Sequence, residues 1–379
     1  MPAPADGSAH DRRPALPKVA IEPRDFAELR GWDEDDHAEA FRALRRSAVA
    51  AGRRPPKSRD INAEVLVAVL DRALSFPADL PADRARAFFE AEFRPFEISP
   101  NGGSGFFTGY YEPIVTGSRT RTPRFDEPLY RVPDDLVEFD PTDPPRGIDP
   151  ALRFARKTES GLVPYYERRE IQAGALAGRG LELVYLGDPV DTFFVHIQGS
   201  ARIALTDGGT MRLTYAAKSG HPYTAIGRVL IDMGALARGR ATMADIRAWL
   251  AENRDKAAAV MAKNRSFIFF REAPVGDPAL GPVAAAKAPL TPGRSLAVDR
   301  LLHTFHSPVW VDTTLPSGGA FRRLMIAQDT GSAIVGPARG DIFFGSGENA
   351  GQVAGGMASA GRFVVLVPRH SRPPDGAWR

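Results

Sequence analysis

The chain has 379 residues, of which 43% are hydrophobic and 25% charged, an ordinary composition for a globular protein with room for two domains. The 49 basic residues barely exceed the 46 acidic ones and are dispersed along the chain, so nucleic acid is not a predicted partner. Cysteine is absent from this sequence, which excludes disulfides, thiolate nucleophiles and cysteine-bound metals.

The N-terminal residues are rich in proline and alanine and show no periodicity, so residues 1–20 are predicted to be disordered. They also lack the apolar segment of a signal peptide. No run of about 18 apolar residues occurs anywhere, so no transmembrane helix is predicted. On these features alone we expect either a cytoplasmic protein or a chain whose export signal lies outside the sequence.

Apolar residues then recur at intervals of three or four, the period of an amphipathic helix. This pattern predicts helices over residues 25–51 and 61–75, and a third helix that opens at Pro81, since proline suits a first helical turn. We expect these helices to cover one side of a β core.

The central part of the chain changes to short β-branched and aromatic runs bounded by glycine and proline, a pattern typical of strands and tight turns. Gly187, Asp188 and Pro189 are interpreted as a turn between two such strands. Helical spacing returns twice, and Thr242 with Asp245 resembles a capping box at the second return. The predicted strands are 105–111, 129–132, 181–186, 192–197 and 211–216, and the predicted helices are 222–233 and 243–261.

The C-terminal part consists of further short strands with a single helix, so a β-barrel fits better than an alternating parallel sheet. The predicted strands are 266–270, 296–299, 309–312, 323–327, 333–335, 341–344 and 363–367, and the predicted helix is 348–358.

Carboxylates are the strongest candidates for chemistry in this sequence. The seven histidines show no metal-ligand spacing, and His303 and His306 lie among apolar residues. No G-x-S-x-G motif for a nucleophilic serine occurs. Asp329 and Asp341 both lie at strand ends next to glycine, where an aspartate can serve either as a turn former or as a catalyst.

Asp341 differs from Asp329 because it begins an apolar run, in which desolvation would raise its pKa and suit a general acid. Glu112 follows two tyrosines, which indicates either a wall on which sugars stack, or a surface residue. Gln198 and Arg202 offer donors suited to hydroxyl, acetamido or carboxylate groups.

Five ordered motifs give the chain a specific resemblance to a known family. They are T-G-Y-Y-E-P at 108–113, H-I-Q-G-S-A at 196–201, Y-A-A-K-S-G-H-P-Y at 215–223, P-L-T-P-G-R-S at 289–295, and Q-D-T-G followed by D-I-F-F-G at 328–345. Between about residues 93 and 368 the sequence resembles the membrane-bound lytic murein transglycosylase A family. Its C-terminal part resembles the domain named for three aspartates, here Asp299, Asp329 and Asp341.

The resemblance implies a mainly β fold with peripheral helices, in which a double-psi β-barrel is interrupted by an inserted second β-rich domain. The barrel with its N-terminal helices would comprise residues 21–113 and 266–379, and the insert residues 114–265. A groove between the two domains would hold a glycan strand.

The reaction implied is cleavage of the β-1,4 bond between N-acetylmuramic acid and N-acetylglucosamine without water, which leaves a 1,6-anhydro ring. Asp341 would act as general acid and then as base, Asp329 would support it, and Asp299 would be structural, although Arg300 follows Asp299 where the family has proline. No metal or organic cofactor is implied. The substrate contacts implied are Thr108, Tyr110, Tyr111, Glu112, Gln198, Ser200 and Arg202.

The substrate implies a periplasmic protein, either free or associated with the outer membrane, although no signal peptide or lipidation cysteine is visible in this sequence. Two other functions stay open: an inverting hydrolase that uses Asp341 as acid and Asp329 as base, and an inactive glycan-binding wall module.

Overall fold

The structure is a computed structural model that describes residues 19–140, 143–145, 147–149 and 152–372. Residues 1–20 were predicted to be disordered, and residues 1–18 of that segment lie outside the described part. For Val19 and Ala20 the prediction is wrong, because both belong to a strand. Within the described residues, no helix is both long enough and apolar enough to span a membrane.

The larger sheet combines strands from the two ends of the chain. Its order is β1-β2-β17-β14-β15-β13-β16-β3, and β3 also pairs with β17, so six of the strands close into a ring. The predicted mainly β fold with a barrel is therefore confirmed, and the double-psi connection pattern stays a prediction. The eight strands are β1 (Val19–Pro23), β2 (Phe93–Pro100), β3 (Gly105–Glu112), β13 (Ser295–Ala297), β14 (Pro308–Thr314), β15 (Ala320–Asp329), β16 (Arg339–Ser346) and β17 (Ala358–Pro368).

Three N-terminal helices cover this sheet, as predicted: α1 (His37–Arg53), α2 (Ala63–Leu74) and α3 (Ala82–Glu92). The first helix starts later than expected because residues 26–34 form two 3-10 turns and the Asp36 side chain caps the Glu39 N–H at 3.2 Å. Apolar side chains of these helices and of the large sheet share one buried core that includes Phe41, Phe89 and Trp310.

A second, six-stranded sheet has the order β12-β11-β10-β4-β9-β5, and a third sheet holds β6, β7 and β8. The strands of the six-stranded sheet are β4 (Ile114–Ser118), β5 (Glu127–Tyr130), β9 (Glu182–Leu186), β10 (Ser200–Leu205), β11 (Thr210–Lys218) and β12 (Ile268–Ala273). The three-stranded sheet contains β6 (Leu136–Glu138), β7 (Phe154–Thr158) and β8 (Gly161–Pro164). The helices of this region are α4 (Arg168–Gln172), α5 (Pro189–Gln198), α6 (Ile226–Asp232), α7 (Met243–Glu252) and α8 (Arg254–Met261).

The strand predicted at 192–197 is wrong, because these residues belong to α5. Asp188 caps this helix by accepting hydrogen bonds from the N–H groups of Val190 at 2.6 Å and Asp191 at 3.1 Å. Pro189 occupies the first helical turn, and Gly199 ends the helix in the left-handed conformation at φ 77°. The residues interpreted as a turn are therefore a helix start.

Three other boundaries differ from the predictions. Residues 333–335 form no strand, and the helix predicted at 243–261 is interrupted at Asn253, where α7 ends and α8 begins. The strand β12, expected in the barrel half that begins at residue 266, instead pairs antiparallel with β11. Its Phe269 and Phe270 side chains are buried in cores of the central region, so residues 268–273 lie with the insert.

The C-terminal connection matches the sequence expectation more closely. The helix α9 (Glu348–Gly356) follows β16 through Gly347 and leads into β17, which contains the predicted strand 363–367. This connection packs α9 against β3 and β16, the two strands that carry the candidate site.

Candidate active site

The register of four neighbouring strands brings the two candidate aspartates onto one face of the barrel. Asp341 on β16 pairs with Thr108 on β3 and with Ala297 on β13, and Ala297 in turn pairs with Asp329 on β15. The two aspartates are thus two strand spacings apart, which places their backbones about 10 Å from each other. The residue between them on β13 is Ala297.

Asp341 is positioned by a chain of two hydrogen bonds. The Thr108 hydroxyl donates to one Asp341 carboxylate oxygen, and the Arg339 guanidinium donates to the Thr108 hydroxyl at 2.6 Å. Burial raises the pKa of Asp341 from 3.8 to about 6, against the opposing effects of Thr108 and Arg339, while the negative charge of Asp329 adds to the rise. Part of the side chain still reaches solvent. Asp341 is therefore a carboxylic acid that can both give and take a proton near neutral pH.

Asp329 is more fully engaged by its neighbours. The Tyr110 hydroxyl donates to one carboxylate oxygen at 3.0 Å, and the Ala285 N–H donates to the other at 3.3 Å. Burial raises the pKa of Asp329, and these hydrogen bonds partly counteract the rise. Burial holds the pKa of Tyr110 well above its usual range, and the nearby negative charges of Asp329 and Asp341 raise it further. Tyr110 therefore remains a neutral donor between the two aspartates.

Glu112 lies at the end of the same strand as Thr108 and Tyr110 but is completely buried in a different environment. Its carboxylate is 2.6 Å from Nε of Arg202 and 2.8 Å from Nε of Arg212, and it accepts a hydrogen bond from Ser346 at 2.7 Å. The two arginines also donate to the backbone carbonyls of residues 275, 278, 280 and 281. This ion cluster connects the large sheet to the six-stranded sheet.

Three other predicted contact residues lie at this junction between the sheets. The Tyr111 side chain is largely buried, and the Tyr111 N–H donates to Gln198 Oε1 at 3.1 Å. Ser200 is buried and begins β10, where it pairs with Thr214. The structure therefore brings Thr108, Tyr110, Asp329 and Asp341 together, and places Tyr111, Glu112, Gln198, Ser200 and Arg202 in the neighbouring junction. Direct contact of either group with a substrate stays a prediction.

Asp299 connects two loops on the outer side of the site. Its carboxylate accepts hydrogen bonds from the N–H groups of Leu301 and Gly336, each at 3.0 Å. Gly336 lies in the segment between β15 and β16, the strands that carry Asp329 and Asp341. The expected structural role of the third aspartate agrees with this placement.

Sequence reasoning missed two residues that face the aspartates. Arg339 lies two positions before Asp341 on the same strand. Its guanidinium donates to Thr108 at 2.6 Å, and its positive charge favours the charged form of Asp341. Tyr223, in the segment after β11, remains 38% exposed and lies close enough to Asp341 for that charge to raise the Tyr223 pKa, although burial raises it more. The motif at 215–223 contained the signal for Tyr223, but no role was assigned to it.

No group of three or more histidine, aspartate or glutamate side chains within the described part of the chain could hold a metal ion. The arrangement instead provides one acid with a pKa near neutrality, a second carboxylate on the same face, and hydroxyl and guanidinium donors around them. A β-barrel that carries such a site fits the class of acid-base enzymes.

Comparisons with known proteins agree with this class. Residues 106–271 match the MltA specific insert domain, and residues 294–367 match the 3D domain. The membrane-bound lytic murein transglycosylase A of Escherichia coli K12 is 34% identical over 280 residues, which are 71% of this chain and 67% of that protein. Its Vibrio cholerae counterpart is 30% identical over 286 residues, 73% of this chain and 68% of that protein.

Solved structures extend the likeness over nearly the whole fold. A membrane-bound lytic murein transglycosylase from Agrobacterium tumefaciens superposes with a TM-score of 0.86 and 43% identity, covering 92% of this chain and 98% of that one. MltA from Neisseria gonorrhoeae gives a TM-score of 0.78 and 33% identity, covering 95% of this chain and 98% of that one. E. coli MltA with bound chitohexaose gives a TM-score of 0.65 and 27% identity, covering 93% of this chain and 92% of that one. The chain belongs to the lytic murein transglycosylase A family.

Proposed function

We propose that this protein is a peptidoglycan lytic transglycosylase, which cleaves the β-1,4 bond between N-acetylmuramic acid and N-acetylglucosamine and leaves a 1,6-anhydro end. The observation that carries the proposal is the burial of Asp341, which gives this acid a pKa of about 6 at a site shared by hydroxyl and guanidinium donors. Membership of a family whose members are named lytic murein transglycosylases supports the same substrate.

In the first step, the protonated Asp341 donates its proton to the glycosidic oxygen as the bond to C1 of the muramic residue breaks. The N-acetylglucosamine unit leaves with that proton on its O4. The pKa of about 6 suits this role, because a general acid works best when its pKa lies near the working pH. Proton transfer of this kind is worth on the order of 10²–10⁴ in rate.

In the second step, the C6 hydroxyl of the same muramic residue bonds to C1, and the Asp341 carboxylate takes the hydroxyl proton. Asp341 is thereby returned to its acid form. The nucleophile is part of the substrate, so its effective concentration is high and no enzymic nucleophile is required. One carboxylic acid is sufficient, whereas glycosidases that use water employ a pair.

The surrounding groups control the protonation and position of Asp341. Thr108 and Arg339 favour its charged form, and burial favours its neutral form, so the pKa lies between the two limits. Asp329 orients Tyr110 through their 3.0 Å hydrogen bond and, by its charge, supports the raised pKa of Asp341. The bound chitohexaose reported for the E. coli relative supports a long β-1,4-linked glycan as the ligand.

An inverting hydrolase is the second candidate, because two carboxylates share one face of the sheet. Inverting enzymes hold their carboxyl groups about 6.5–9.5 Å apart with a water between them, and a backbone separation of two strands is compatible with that range. The engagement of Asp329 favours the transglycosylase, since each of its two carboxylate oxygens already accepts a hydrogen bond, from Tyr110 at 3.0 Å and from Ala285 at 3.3 Å.

Product analysis of digested murein sacculi by mass spectrometry tests the proposal. We expect wild type to release 1,6-anhydro muropeptides, and Asp341→Asn to release none while staying folded. Asp312→Asn is the matched control, because Asp312 lies on β14 of the same sheet and pairs with Arg322 at 3.0 Å away from the site. Reducing muramic ends would establish the hydrolase, and binding without any product from wild type would establish a glycan-binding module.

The substrate determines the proposed location. Peptidoglycan lies outside the cytoplasmic membrane, so the enzyme would act in the periplasm, and the relatives named membrane-bound support a site at a membrane surface. Protease digestion of the protein in spheroplasts with an intact inner membrane tests this location. Protection equal to that of a cytoplasmic marker would contradict it.

A further inference from the structure

Three cationic side chains lie on segments that contact one another near the site. They are Lys218 at the end of β11, Arg153 just before β7 and Arg300 after β13. None of them forms an ion pair within 4.0 Å in the described part of the chain.

The fold holds these residues together by contacts that do not involve their charges. Lys218 donates to Ser332 at 3.2 Å, which links β11 to the segment between β15 and β16. Asp299 binds that same segment at Gly336 and directly precedes Arg300. Gly220, two residues after Lys218, packs closely on the backbone of Phe154, which follows Arg153. A Cβ atom at position 220 would lie only 3.1 Å from the backbone N and O of Phe154.

The charges of this cluster are poorly compensated. Burial lowers the pKa of Lys218, and the positive charges of Arg300 and Arg153 lower it further, so both arginines are close enough to act on the lysine. Nε of Arg153 is buried and has no hydrogen-bond partner among the described residues. The charge of Glu138 reaches Tyr215, but Glu138 forms no ion pair within 4.0 Å with any of the three cations in the described part of the chain. Each of these costs would be relieved by an anion bound between the cations.

We propose that Lys218, Arg153 and Arg300 form a binding site for a carboxylate carried by the substituent of a muramic acid residue, with the stem peptide as its source. This inference rests on the proposed function and identifies peptide-bearing strands as the preferred substrate. The site favours an anion because its three cationic side chains present several N–H donors.

The position of the cluster suits a substituent on the glycan near the cleaved bond. Ser332, which Lys218 contacts, is three residues beyond Asp329, and a three-residue segment spans at most about 10 Å. Tyr215, on the same strand as Lys218, is 44% exposed and lies within reach of the charges of Arg300 and Arg153. An exposed aromatic ring therefore lies on the same strand as one of the three cations.

Binding to the inactive Asp341→Asn protein tests the inference without turnover. Calorimetry would compare three preparations of murein strands: strands with intact peptide stems, the same strands with stem carboxylates amidated by carbodiimide and ammonia, and strands whose stems have been removed by an amidase. We expect tight binding to the first preparation. We expect Lys218→Met and Arg300→Gln each to weaken that binding about tenfold while leaving binding to the amidated strands unchanged.

The controls are Lys256→Met and Arg254→Gln, which remove equal charges from exposed residues of α8. They should bind all three preparations as the parent does. A loss restricted to amidase-treated strands would identify the lactyl carboxylate as the source and overturn the assignment to the stem peptide. Equal losses on intact and amidated strands, or no loss, would refute the carboxylate site. Wild-type product analysis separately decides whether the proposed function holds.

Discussion

The buried ion cluster at Glu112 allows a decisive experiment on what holds the two sheets together. Replacing Glu112 by alanine removes the carboxylate that Arg202 and Arg212 contact at 2.6 and 2.8 Å, and it removes the acceptor of the Ser346 hydroxyl. Both guanidinium groups would stay buried, because their other donors are bound to backbone carbonyls. Two positive charges would then face each other without compensation.

The expected loss in the free energy of unfolding is about 3–5 kcal/mol, the range for removing one partner of a buried ion pair. Two arginines depend on this one carboxylate, so the upper half of the range is expected. Urea denaturation, followed by circular dichroism, measures the shift in the midpoint. Glu272→Ala is the matched control, because its pair with Arg119 at 3.1 Å is about half exposed and should contribute at most about 1 kcal/mol.

The alternative prediction for Glu112, a direct contact with the substrate, gives the opposite pattern. In that case Glu112→Ala would raise KM for murein strands and leave the urea midpoint close to that of the Glu272→Ala control. A loss of stability below about 1 kcal/mol would therefore refute the assignment of Glu112 to the junction between the sheets.

Two further predictions concern Asp341. Thr108→Val removes a hydrogen bond that favours the charged form of Asp341, so the pKa of Asp341 should rise above about 6. Because the protonated acid is the active form, kcat/KM should then begin to fall at a higher pH than in wild type. An unchanged pH profile would show that Thr108 does not control the protonation of Asp341. Burial of the charged carboxylate, which raises the Asp341 pKa from 3.8 to about 6, costs up to about 3 kcal/mol at neutral pH. Asp341→Asn should thus be more stable than wild type at neutral pH, and the difference should vanish on acidification below pH 3.8, where the carboxyl group is neutral in both folded and unfolded states. Equal urea midpoints for Asp341→Asn and wild type at neutral pH would contradict the predicted gain in stability.

Local signals predicted much of the secondary structure and the chemically important residue types. The strand β3 and the helices α2 and α3 follow from their apolar periodicity and their proline and glycine boundaries. The error at α5 was also local, since Asp188 and Pro189 are as typical of a helix start as of a turn. In that case the capping hydrogen bonds and the C-terminal Gly199 decide between the two structures.

The arrangement of the site could not be predicted from local pattern because it depends on pairing between distant strands. Asp341 pairs with Thr108, which lies more than two hundred positions earlier in the sequence, and Ala297 separates Asp341 from Asp329. The environment of Glu112 likewise depends on arginines of β10 and β11. The motif at 108–113 gave no sign in sequence that its residues have different environments. Thr108 and Tyr110 contact the two aspartates, whereas Glu112 contacts the arginines at the junction between the sheets.

The closure of the barrel by β3 has a consequence for the order in which a growing chain can fold. β3 is hydrogen-bonded to β16 and β17, which are made last, whereas the six-stranded sheet draws all of its strands from residues 114–273. During synthesis the central sheet can therefore form while β3 still has an unpaired edge. Such edges expose a chain to wrong pairing until the C-terminal strands arrive, so truncation before β16 should leave a folded insert attached to an aggregation-prone N-terminal half.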